Sequence, residues 1–230
     1  MEKFNAEGFE VYGKTAITDW LLGYNKVIEL MGEIENKNIL DYGCGDGKFS
    51  RKLNELKANV TGVDVLKEMI DLAKKISPKK INYFQIESAK LDIIKDNSLD
   101  FASSNYCLCA LKTKKEIEEI LKSIHKKLKN GGKMFVLNVN WEKFNGKESI
   151  SWKCDKTPNL KSGSAVSLTL KSTRPIKGID YYFSKEDYIE MFTKTGYKNI
   201  VIKEIKPTNE KANWIDEKKY SPTIIIYGEK

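Results

Sequence analysis

The sequence predicts an α/β fold, a mostly parallel sheet covered by helices on both faces. Two observations carry this. After residue 37, short apolar runs alternate with stretches of helical periodicity. A glycine cluster, Gly43-Cys44-Gly45-Asp46-Gly47, stands where the first apolar run meets the first helical stretch.

The elements follow in order. Asn38-Ile39-Leu40-Asp41 reads as a strand that runs into the glycines. Phe49, Leu53 and Leu56 then recur at helical spacing. Residues 60–64 form a second strand, and Met69, Ile70, Leu72 and Ala73 mark a helix stopped near Pro78. Residues 81–84 and 99–103 read as the third and fourth strands. Ile117, Ile120, Leu121, Ile124 and Leu128 make an amphipathic helix, closed at Asn130-Gly131-Gly132, and a fifth strand follows over 133–138. The alternation then breaks. Residues 165–170 alternate like a half-exposed strand, and 179–183 can pair with them. Ser184-Lys185-Glu186-Asp187 reads as a capping box that opens a helix ended by Gly196. Two last strands lie around 199–205 and 223–228. One domain over 1–230 is expected, with its core at about 26–141 and 184–230. An N-terminal arm, 1–25, and an insertion, 142–183, are expected to cover the substrate.

Composition narrows the partners. Hydrophobic content is 40% and charged content 31%, as in globular proteins. The N-terminus has no apolar core of a leader, and the run 223–227 is far too short to span a bilayer. No membrane partner and a cytoplasmic location are expected. Cys44, Cys107, Cys109 and Cys154 form no C-x-x-C pair and read as reduced thiols. The net charge is +8, yet 38 of the 40 basic residues are lysine, scattered through every helix. Phosphate and base readers lean on arginine's bidentate fork, so nucleic acid is not expected as a partner. No acid and histidine cluster has metal-ligand spacing, so no metal is expected.

The glycine spacing separates two cofactor classes. A dinucleotide-binding G-x-G-x-x-G would place glycine at position 48, where Lys48 stands. Here the third glycine is Gly47. The run Asp41-x-Gly43-x-Gly45-x-Gly47 resembles motif I of the class I, Rossmann-like, S-adenosylmethionine-dependent methyltransferases. Asp64 at the end of the second strand, residues 95–101 before the fourth and residues 128–132 before the fifth continue the resemblance over about 37–140. It implies a sheet with an antiparallel last strand, a small inserted lid, and S-adenosylmethionine as cofactor with S-adenosylhomocysteine as product. It implies that Asp41 holds the cofactor's amino-acid end, that Gly43, Cys44, Gly45 and Gly47 supply close backbone, and that Asp64 accepts from the ribose. Val65 or Leu66 would pack near adenine, Glu87 or Ser88 would meet the adenine amine, and Asn105 and Tyr106 would lie where cofactor and acceptor meet.

The acceptor chemistry is read from the remaining residues. The single histidine, His125, sits late in the helix before strand five, at the wrong edge of the sheet for a base. Asn105 and Tyr106 are the catalytic candidates instead. Tyr12, Trp20, Tyr24, Asn138, Asn140, Trp141, Tyr181 and Tyr182 mix aromatic rings with amides, which suits a flat or cationic small molecule. The expected function is methyl transfer to a small-molecule nitrogen or oxygen. The alternatives are an RNA or protein methyltransferase, or a cofactor-binding regulatory protein without turnover.

Overall fold

A computed structural model describes residues 18–172, 175–208 and 212–230, with Trp20 described by its backbone alone. A π-helical turn, Asp19–Tyr24, leads into α1 (Asn25–Met31). The alternating core follows: β1 (Asn38–Tyr42), α2 (Lys48–Glu55), β2 (Asn59–Asp64), α3 (Lys67–Ile76), β3 (Asn82–Gln85) and β4 (Leu99–Asn105). A 3-10 turn, Leu108–Ala110, precedes α4 (Lys114–Lys127) and β5 (Leu128–Val139). Next come α5 (Trp141–Phe144), β6 (Trp152–Cys154), β7 (Ala165–Leu170) and β8 (Ile176–Tyr181). The chain closes with α6 (Lys185–Lys194), β9 (Lys198–Ile205) and β10 (Thr223–Glu229).

Seven strands form one sheet in the order β3-β2-β1-β4-β5-β10-β9. The first five are parallel, and β10 runs antiparallel to both β5 and β9. The strand order reverses between β1 and β4, and ligands gather outside the carboxyl ends of strands at such a switch point. Asp41 and Asn105 stand at that edge.

Strand alternation divides the core. Leu40, Val136 and Ile226 pack on one face with Ile117 and Ile124 of α4 and Phe192 of α6. Ile39, Phe135 and Ile225 pack on the other with Val27 of α1, Leu53 of α2 and Ile70 of α3. β6, β7 and β8 make a separate antiparallel sheet inside the insertion, with its own cluster around Phe144, Trp152 and Leu168.

The helix ends follow local chemistry. Ser184 accepts from the Asp187 N–H at 3.2 Å, and the Ser184 N–H donates to the Asp187 carboxylate at 2.9 Å. Thr113 and Glu116 make the same reciprocal cap on α4, which the sequence reading passed over. The glycines at 131–132 do not close a helix. α4 ends at Lys127, and β5 begins at once with Leu128. Gly131 takes a φ of +78°, its N–H donates to the Lys230 carbonyl at 3.1 Å, and the Lys230 N–H donates to Gly132. Backbone partners from the end of β10 therefore turn the expected turn into an irregular strand start.

His125 lies at the end of α4 remote from the switch-point edge, packed edge-on against Tyr197 with ring centroids 5.0 Å apart. Burial lowers its pKa.

Gly47 is set by packing. Its φ is +78°, and a Cβ there would collide with the Tyr83 hydroxyl and ring. We expect Gly47→Ala to lower the melting temperature by about 4 °C or more, because left-handed strain and the clash each cost about 1 kcal/mol or more. Thermal unfolding by circular dichroism checks this.

Candidate active site

β1 delivers Asp41 to the switch point, and the turn after it is pinned to β2. The Gly43 and Cys44 N–H groups both donate to the Val63 carbonyl, at 2.8 and 2.9 Å. The three glycines of the turn all have positive φ but face different surroundings. A Cβ on Gly43 would strike the Cys107 thiol, and one on Gly47 the Tyr83 ring. A Cβ on Gly45 would meet nothing within 4 Å. Gly45 alone of the three presents open backbone.

Asp64, at the end of β2, ties this turn to the next loop. One carboxylate oxygen accepts from the Gly45 N–H at 2.9 Å and the other from the Leu66 N–H at 2.9 Å. Each oxygen keeps a lone pair for a further donor. Asp41 is 2% exposed and accepts from the Ser50 hydroxyl at 2.6 Å. Burial, reinforced by Asp64 and Asp46, raises its pKa to about 7.

These residues open into a cavity of about 300 Å³. Its floor carries Asp41, Gly43, Cys44, Gly45, Asp46 and Asp64, with Val65, Leu66 and Met69 on one side. Beyond β4 the lining continues through Asn105 and Tyr106 to Tyr24 and Asp19 of the π-helical turn. It ends at Trp152, Leu168, Leu170 and Asp180 of the inserted sheet. Tyr106 takes a left-handed φ of +52°, a strained value for an aromatic residue. Its N–H donates to Leu137 at 2.7 Å, while its buried hydroxyl has no hydrogen-bond partner. Asn105 accepts from the Ser103 hydroxyl at 3.0 Å and leaves its buried amide nitrogen unpartnered. The Trp152 indole N–H donates to Asp19 at 3.3 Å, closing the far wall.

Comparison with known proteins agrees with this architecture. Residues 40–136 match a family model described as a methyltransferase domain. Residues 40–136 thus carry a methyltransferase domain. N-demethylindolmycin N-methyltransferase of Streptomyces griseus is 24% identical over 88% of this chain and 90% of that protein. A ubiquinone biosynthesis O-methyltransferase of Hydrogenovibrio crunogenus is 30% identical over 51% of this chain, which spans about half (49%) of that relative's length. The crystal structure of an S-adenosylmethionine-dependent methyltransferase from Mesorhizobium loti superposes with a TM-score of 0.67, at 16% identity, over 94% of this chain and 99% of that one.

The floor of this methyltransferase domain fits the cofactor its class implies. S-adenosylmethionine carries a cationic sulfonium, an ammonium and ribose hydroxyls. The cavity offers them the carboxylates of Asp41, Asp46 and Asp64 and the open backbone of Gly45. Lys48 also lines it, where a carboxylate can be met.

The sequence candidates divide. Asp41, Gly43, Cys44, Gly45, Asp64, Val65, Asn105, Tyr106 and Tyr24 all line the cavity. Gly47 stands behind it, supporting the turn. Glu87 and Ser88 are exposed and outside the lining, with Glu87 paired to Lys90. Asn138, Asn140, Trp141, Tyr181 and Tyr182 line a second, much smaller cavity, with Val139 shared by both. There Asn138 donates to the Tyr188 hydroxyl at 2.6 Å, and Tyr182 donates to Glu142 at 3.1 Å. Tyr12 and the Trp20 side chain lie outside the described residues.

Asp19, Lys48, Met69, Cys107, Leu168, Leu170 and Asp180 were not singled out from the sequence. Asp180 shows why. Its strand turns Ile179 outward, 43% exposed, and Asp180 inward, 5% exposed. Cross-strand register with Val166 decides this parity, and hydrophobic alternation points the other way. Among the described residues, no group of three His, Cys, Asp or Glu side chains is placed to hold a metal ion.

Two variants separate turn strain from ligand approach. Gly45→Ala, at φ +53° with free space around the new Cβ, should cost about 1–2 kcal/mol of stability. It should also weaken S-adenosylhomocysteine binding by about tenfold or more, about 1.4 kcal/mol, read by calorimetry. Asp41 gives a pH test. Its folded pKa of about 7 lies above the ~3.9 of an unfolded aspartate, so its contribution favours the fold at low pH and is lost as pH rises through 7. Asp41→Asn should therefore raise the melting temperature at pH 8 by about 4 °C and give no gain near pH 4. It should weaken cofactor binding at both.

Proposed function

We propose that the chain transfers the methyl group of S-adenosylmethionine to a nitrogen or oxygen atom of a small molecule. The observation that carries this reading is the continuity of one cavity. It runs from Asp41, Gly45 and Asp64 at the glycine turn to Tyr106, Trp152 and Asp180 under the inserted sheet. A cofactor end and an acceptor end thus share one enclosure, which favours turnover over a purely regulatory binding role.

When bound, the cofactor supplies an electrophilic methyl on a sulfonium. The protein's task is to align the acceptor with that carbon and to exclude water. Asp64 takes the ribose hydroxyls, Asp41 the amino-acid end, Gly45 the close backbone approach, and Val65, 48% exposed at the rim, the adenine face. Asn105 and Tyr106 stand at the junction, each with an unpartnered buried donor. The roof comes from the insertion, 142–183, and from the π-helical turn, which together act as the cover over the acceptor.

The names of the relatives support a small acceptor, since an indolmycin precursor and a ubiquinone precursor are both small molecules. A nucleic-acid or protein acceptor is less well served. Surface lysines are engaged with neighbouring acids, as in Lys52–Glu55, Lys67–Asp71 and Lys194–Glu118, and the cavity floor is acidic. Among the described residues no helix is long and apolar enough to cross a membrane. Within this reading the protein works in the cytoplasm.

Incubation with methyl-labelled cofactor against a metabolite extract and against cellular RNA tests the reading. Label is expected in the small-molecule fraction. Label confined to RNA or protein, or no transfer despite cofactor binding, would reject it. Asp64→Ala should weaken S-adenosylhomocysteine binding by about tenfold or more, because a charge-assisted pair is lost. His125→Ala should turn over like the wild type.

A further inference from the structure

Asp180 is one of two acidic groups at the acceptor end of the cavity; the other is Asp19. It lies on β8, is 5% exposed and lines the enclosure together with Tyr106, Trp152, Leu168 and Leu170. Tyr106 packs against the cluster formed by Trp152, Leu168 and Leu170. Among the described residues, the Cys109 thiol, a weak donor, is the group that stabilises the Asp180 carboxylate. A carboxylate held among apolar and aromatic side chains by one weak donor is poorly compensated, and a buried charge of this kind is normally paired. Tyr106 lines the same space, and its hydroxyl is buried without a hydrogen-bond partner.

We propose that Asp180 selects a cationic amine as the acceptor: its carboxylate pairs with the ammonium and takes the proton that must leave before the nitrogen lone pair attacks the methyl and the methyl–sulfur bond breaks, while Trp152 and Tyr106 pack against the attached apolar or aromatic body. The proposal rests on the reading of this cavity as the acceptor site. It explains the inverted alternation of β8, because an inward aspartate beside an outward isoleucine is unfavourable unless a cation completes the site. A carboxylate and aromatic faces both attract a cation and give no advantage to a neutral alcohol or a carboxylate. Asp19, on the opposite wall, is already engaged by the Trp152 indole.

The groups that face Asp180 leave its charge as the variable one. Among the described residues they are Cys109 of the 3-10 turn, Cys154 of β6 and Tyr188 of α6, all held neutral by burial. Burial also raises the Asp180 pKa to about 6. The ionised form binds the ammonium, so affinity is present above that pH and falls below it, by about tenfold per unit.

Phenethylamine and tryptamine serve as probes, against 2-phenylethanol and phenylpropionate as neutral and anionic counterparts. Binding is measured by calorimetry on the wild type, with and without S-adenosylhomocysteine, whose own binding is titrated separately. The amines are expected to bind at least tenfold more tightly than their counterparts, with the loss below pH 6. Asp180→Asn should reduce amine binding tenfold or more, abolish the pH step and leave S-adenosylhomocysteine affinity within twofold. Asp180→Glu, which keeps the charge, should retain part of the preference and serves if the asparagine variant does not fold. Equal binding of amines and alcohols, or a pH step that persists in Asp180→Asn, overturns the proposal. Failure of S-adenosylhomocysteine to bind overturns the methyltransferase reading instead, while the amine comparison without it still reports on Asp180.

Discussion

The structure of the site depends on one contact, the hydrogen bond from the Gly45 N–H to the Asp64 carboxylate at 2.9 Å. It joins the turn after β1 to the end of β2. The second oxygen of Asp64 holds the Leu66 N–H that opens the next loop. A single side chain therefore fixes the relative position of two strand ends and the lip of the cavity. Its two oxygens are held by backbone donors from both sides, so the carboxylate is aimed before any ligand arrives. That pre-organisation lowers the ordering cost of binding.

The floor around that contact is electrostatically unfavourable by itself. Asp41, Asp46 and Asp64 crowd one enclosure, and burial raises Asp41 to a pKa of about 7. Such a site is maintained against the stability of the fold, as the raised carboxylate pKa records. Asp180 repeats the pattern at the far end, on a different sheet. Both ends of the cavity hold carboxylates in low-dielectric surroundings, and both become favourable when a cation is supplied.

Much of this was legible in the sequence. The β1-turn-α2 unit announced itself because glycines at 43, 45 and 47 are conformationally required, and Asp64 because it ends an apolar strand. The mostly parallel sheet followed from the alternation, and its antiparallel last strand from the family resemblance. What local pattern missed was set by long-range register. Gly47 looked like ligand-facing backbone, but a distant side chain, Tyr83, packs against it, while Gly43 lines the cavity with the Cys107 thiol close by. Asn138, Asn140 and Trp141 follow the correct strand, yet the end of β5 carries them into the smaller cavity beside α6. β6 is three residues long, too short for periodicity to declare. Asp180 faces inward because Val166 pairs with it, information that no local window contains.

The most direct test of the account is a crystal structure of the chain with S-adenosylhomocysteine bound. The account predicts density across Gly45, with the ribose hydroxyls on Asp64, the amino-acid end at Asp41 and the sulfur facing Tyr106 and the inserted sheet. Ligand density elsewhere, or a ligand whose sulfur points away from Tyr106 and Asp180, would contradict it.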